Sequence, residues 1–74
     1  MGQWQTVITY DVANPAVLND TLWMNNMRQQ AGGIALQRYR TQMLFPSGNY
    51  QVTNIEQVYD ANRHKLQYRV TVSF

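Results

Sequence analysis

From Leu66 to Phe74 the chain alternates apolar and polar residues without interruption. Successive side chains of a β-strand point to opposite faces, so Leu66, Tyr68, Val70, Val72 and Phe74 are predicted to share one face. Gln67, Arg69, Thr71 and Ser73 take the other. A weaker alternation runs from Gln3 to Val12, where Trp4, Thr6, Ile8 and Tyr10 recur at period two and only Val7 breaks the pattern. It predicts a first strand. Tyr50 to Tyr59 predicts another, joined to the last by a hairpin loop at Asp60–His64 in which Asn62 takes the left-handed conformation.

Between these strands the period changes. Asn14-Pro15 is a helix-start signal, with Asn as N-cap and Pro at the first helical position, and Asn19 is an alternative start. Residues 16–31 contain no Gly or Pro, and Gly32-Gly33 follows as a C-cap that tolerates positive φ. Asp20 near the start and Arg28 near the end suit the helix dipole. Val17, Trp23, Met24, Met27 and Ala31 fall on one broad face, whereas Leu18 and Leu22 form a separate stripe. Ile34 to Phe45 is predicted as a strand, with a parity change of the kind a β-bulge produces. Pro46-Ser47-Gly48-Asn49 is a turn.

The expected architecture is therefore α+β in the order β-α-β-β-β. One helix packs on one face of a four-stranded, largely antiparallel sheet, and residues 1–74 form a single small domain. The other face would carry Arg38, Arg40, Gln57, Gln67 and Arg69.

Composition narrows the partners. A 74-residue chain has a thin stability margin, and without cysteine it has neither disulfides nor thiolate metal sites. A partner subunit is the natural source of extra stability. Net charge is +2 and charged residues are only 14% of the chain, so electrostatics alone points to neither nucleic acid nor an anionic membrane. Gln and Asn supply much of the polarity instead. No apolar run approaches the roughly 20 residues that span a bilayer, and the N-terminus lacks the pattern of a signal peptide. A soluble, intracellular (cytoplasmic) chain with no membrane partner is expected.

The residues offer little for catalysis. His64 is the only histidine, and Ser47 and Ser73 lie outside any nucleophile-elbow pattern. Asp60, His64 and Glu56 read as a solvated turn and its neighbour rather than a metal site, which needs three or four converging ligands. Gly32-Gly33 follows a helix, so the dipole there has the wrong sign for a phosphate cradle. No enzyme activity, cofactor or small-molecule substrate is expected. The remaining pattern is basic–aromatic: Arg38-Tyr39-Arg40 and Tyr68-Arg69 could stack bases and contact phosphates on adjacent strands. Strict alternation separates Tyr68 from Arg69, which weakens a common platform.

Ile8-Thr9, Pro15, Trp23, Arg28-Gln29-Gln30 and Gly32-Gly33-Ile34 together resemble the small linker domain of phycobilisomes, in which a strand, a helix and a Gly-Gly-strand junction recur in this order. The resemblance covers less than half the chain, and the family's basic residue after the glycine pair is missing. It implies an assembly role and no functional residues are carried over from it. Taken together, the expected function is a non-enzymatic protein–protein interaction or assembly module that self-associates, with Trp4, Leu18, Leu22 and Tyr39 at the contact. The alternatives are a single-stranded nucleic-acid-binding module using Arg38, Arg40 and Arg69, and a phycobilisome small-linker-like protein.

Overall fold

The computed structural model describes residues 2–44 and 46–74. Its elements are β1 (Gln3–Asp11), a 3-10 turn (Pro15–Asn19), α1 (Thr21–Gln42), β2 (Gln51–Asp60) and β3 (Lys65–Ser73). The strands form one antiparallel sheet in the order β1-β3-β2. The last strand of the chain is thus the central one, paired from Gln3↔Ser73 to Asp11↔Lys65 on one side and from Gln51↔Ser73 to Asp60↔Lys65 on the other.

This corrects the four-stranded expectation. Ile34–Phe45 is not a strand: α1 runs through Gly32-Gly33 and on to Gln42. Phe45, the end of that expected strand, lies outside the described residues, as does Met1. The order is β-α-β-β and the fold remains α+β. The reason is tertiary. Two mid-helix glycines cost about 1 kcal/mol each relative to Ala, enough to suggest a stop. Beyond them, however, Ala35 and Tyr39 continue the stripe of Met24, Met27 and Ala31 at spacings of three and four. Ala31, Gly32, Ala35 and Tyr39 are buried, so the far half of the helix is held by the sheet. Ala, Leu, Gln and Arg between them are also good helix formers.

The helix start differs too. Asn14 does cap a turn, its Oδ1 accepting from the Ala16 N–H at 3.0 Å, but that turn is 3-10 and ends at Asn19. The α-helix is capped separately by Asp20, whose Oδ1 accepts from the Trp23 N–H at 3.1 Å. In the β2–β3 loop the left-handed residue is His64 (φ 55°) and not Asn62. Asp60 Oδ1 instead accepts from the N–H groups of Asn62 and Arg63, which tightens the turn and leaves its last residue to reverse the chain.

The predicted alternation of the last strand holds for four of its five apolar residues. Leu66, Tyr68, Val70 and Val72 are fully buried beneath α1, while Phe74 stays about half exposed at the end of the sheet. Ile8 from β1 and Val12 just after it complete the core with Ala31, Ala35 and Tyr39. Full burial of one such aliphatic side chain stabilises the fold by roughly 1.5–3 kcal/mol. The small residues of α1 allow close approach to the sheet, with a Cβ built on Gly32 lying 3.7 Å from Ile55 Cδ1.

Gly33 is exposed, and a Cβ placed there meets nothing within 4 Å. Gly33→Ala should therefore stabilise the domain by about 1 kcal/mol in denaturant unfolding. A loss of stability would show that the helix does not pass through this position.

Candidate interaction surface

Strand order decides what is left open. β1 and β2 are both edges, and the face of the sheet opposite α1 is uncovered. That face is polar apart from Val7 and Val58, 45% and 60% exposed. At its centre Arg69 lies 3.9 Å from Glu56, both more than half exposed, and such a pair contributes under about 1 kcal/mol. Thr71 is buried there, and Gln5 Nε2 donates to its hydroxyl at 3.1 Å.

The four residues expected at a protein contact divide into two groups. Trp4 and Tyr39 meet, with ring centroids 5.6 Å apart in an edge-to-face arrangement. Tyr39 also packs against Tyr50 at 5.0 Å and Phe74 at 5.5 Å, so it is the buried hub of an aromatic end built from β1, α1, the β2 approach and the end of β3. Trp4 Nε1 donates to Gln42 Oε1 at 3.1 Å. Leu18 and Leu22 lie toward the other end of the helix, about 25 Å from Tyr39 at 1.5 Å rise per residue for Leu22. Leu18 packs partly on the core, and Leu22 is 71% exposed.

The three arginines considered for nucleic acid are not brought together. Arg38 reaches over the β1 edge, donating from Nη1 to Thr6 Oγ1 and to the Val7 carbonyl, both at 3.0 Å. Arg40 turns to Tyr50, its Nε donating to the hydroxyl at 2.6 Å with the guanidinium 5.6 Å from the ring centroid. Arg69 belongs to the opposite face of the sheet, beside Glu56. Arg28, whose place in the sequence suggests only a dipole partner, mirrors Arg38: its Nη2 donates to the Ile55 carbonyl on the β2 edge at 3.1 Å. Each edge thus has one carbonyl satisfied by a helix arginine.

The end of α1 is a further feature that the sequence does not reveal. Met43 and Leu44 are 43% and 83% exposed, and Leu44 has φ 55°, the left-handed conformation that glycine usually supplies after a helix. No sequence signal marks this site, because the local pattern around Leu44 reads as strand.

Among the described residues no three His, Cys, Asp or Glu side chains gather as metal ligands, and no helix is long and apolar enough to cross a membrane. Among the described residues two buried hydroxyls, Tyr10 Oη and Tyr68 Oη, have no hydrogen-bond partner. Their rings meet edge to face at 6.2 Å. Burial pushes the Tyr68 hydroxyl above its ordinary value near 10, Tyr10 adds to the rise, and the nearby positive charge of Arg28 opposes it. Comparison with protein-family models, characterised proteins and solved structures gives no match. The strand–helix–Gly-Gly–strand order behind the phycobilisome resemblance is likewise not the order of this fold, since Gly32 and Gly33 lie within α1.

The Tyr68 shift has a definite sign. The folded state holds the proton more tightly, so its contribution is fully present below the unfolded value near 10 and is lost as pH rises through the higher folded value. Tyr68→Phe should remove that alkaline loss. At neutral pH it should leave stability unchanged or raise it by up to about 1 kcal/mol, because an unpaired buried hydroxyl is removed. An unfolding series in denaturant across the alkaline range checks both. An unaltered pH profile in the variant would place the loss elsewhere.

Proposed function

We propose that this chain is a non-enzymatic protein–protein assembly module whose partner is a further copy of itself. The observation that carries this reading is Leu44: an apolar side chain 83% exposed, held at φ 55°. In a lone chain both features are unfavourable. The left-handed conformation costs a non-glycine residue about 1–2 kcal/mol, and the exposed leucine recovers nothing from burial. Such outliers persist where a surface is used. Met43, which precedes it, is half exposed, and at the same end of α1 the half-exposed Phe74 and the part-buried rings of Trp4 and Tyr50 gather on Tyr39, a cluster rather than a scatter of single residues.

The thin core supports the same reading, since a chain of 74 residues with no disulfide gains stability from association. A protein partner is preferred to single-stranded nucleic acid because Arg38, Arg40 and Arg69 are engaged on separate surfaces and form no continuous basic track.

Sedimentation velocity across the micromolar range tests this. The expected result is a concentration-dependent mass above the single-chain 8.7 kDa. Leu44→Gly should weaken association while raising the stability of the free chain by about 1 kcal/mol, since glycine relieves the backbone and removes the contact. A wild-type chain that stays monomeric throughout would sink the proposal.

A further inference from the structure

We infer that β1 is a self-complementary docking edge, pairing antiparallel with β1 of a second copy about a two-fold axis at Val7. This rests on the self-association reading above but concerns a different surface from the apolar end.

The backbone parity of β1 is set by its bonds to β3. Gly2 exchanges both hydrogen bonds with Phe74, at 2.6 and 2.9 Å, and the Val12 N–H donates to the His64 carbonyl at 2.8 Å. Even-numbered residues of β1 therefore direct their backbone groups to β3, and Gln3, Gln5, Val7, Thr9 and Asp11 direct theirs outward. The Val7 carbonyl, taken by Arg38, agrees with this parity. Among the described residues it is the one outward backbone group of β1 with a hydrogen-bond partner in the chain. The rest form a regular row across a nine-residue strand with no proline, no bulge and a single charge, Asp11, at its end. Such an edge is a template for another strand.

β2 differs. A bulge between Val52 and Asn54 breaks the spacing of its backbone groups. One edge of the sheet is thereby blunted and the other is not. The unblunted edge is also the one whose sequence matches itself in reverse. With Val7 opposite Val7, all nine residues overlap, Gln5 faces Thr9 and Gln3 faces Asp11 on the open face. On the helix side Thr6 faces Ile8 and Trp4 faces Tyr10, an aromatic cross-strand pair of the favourable kind. No like charges oppose each other. The match favours a second copy over an unrelated strand. The pairing doubles the three-stranded sheet, places both helices on one side of it, and exchanges the Arg38 bond at Val7 for a backbone donor.

Two measurements on the full chain test this edge. The first is amide exchange as a function of concentration, read against sedimentation of the same samples. The N–H groups of Val7 and Thr9 should gain about tenfold protection as the chain associates, while those of Thr6 and Ile8 are protected at every concentration. The second is Thr9→Pro, which removes an outward N–H and is compatible with an edge strand, and should weaken association at least about tenfold. If the wild type associates while Val7 and Thr9 exchange freely, the edge is wrong and the self-association reading stands. Unchanged affinity in a folded Thr9→Pro variant would overturn the edge in the same way. A wild type that never associates overturns both.

Discussion

The whole arrangement depends on β3, which is hydrogen-bonded on both sides and buried on one face. Leu66, Tyr68, Val70 and Val72 present a continuous apolar row, and every other element is placed by covering or flanking it. α1 can cover it closely because Ala31, Gly32 and Ala35 offer little side-chain bulk. The same contact explains why a helix passes through two adjacent glycines. Local propensity alone favours a break there, and burial of Ala31, Ala35 and Tyr39 outweighs the roughly 2 kcal/mol that the pair costs.

Placing the last strand in the middle has a functional consequence. It leaves β1 and β2, far apart in sequence from one another, as the two edges, and these are where the surface is least finished. α1 lies across the sheet and extends Arg38 to one edge and Arg28 to the other, each donating to one carbonyl. The arginines are thereby spent within the chain, and a low-charge surface rich in Gln and Asn remains. The exposed Leu44 and the regular β1 edge are the open features on which the proposed assembly reading rests.

Period-two patterning is a good guide to the strands of this chain. The burial of Leu66 to Val72, the first strand and the final hairpin are legible because each depends on local alternation and turn residues. The path from residue 32 to residue 44 is not. Gly32-Gly33 is the signature of a C-cap when read locally, and Ala31, Ala35 and Tyr39 become a stripe only once a sheet lies beneath them. The site follows the same division. Of the four residues expected at a contact, Leu18 and Leu22 are the ones that the helix pattern leaves over, whereas Tyr39 packs with Trp4 as a buried member of the core. Leu44 and the β1 edge are out of reach, since one depends on where α1 ends and the other on strand order.

The unbroken passage of α1 over β3 is the claim on which the rest stands, and heteronuclear NMR of the wild-type chain tests it most directly. Helical backbone shifts continuous from Thr21 to Gln42, with a nuclear Overhauser contact between the Ile55 δ-methyl and the Gly32 α-protons, are the expected result. Extended shifts after Gly33, with strand-type contacts from Ile34 onward, would contradict it.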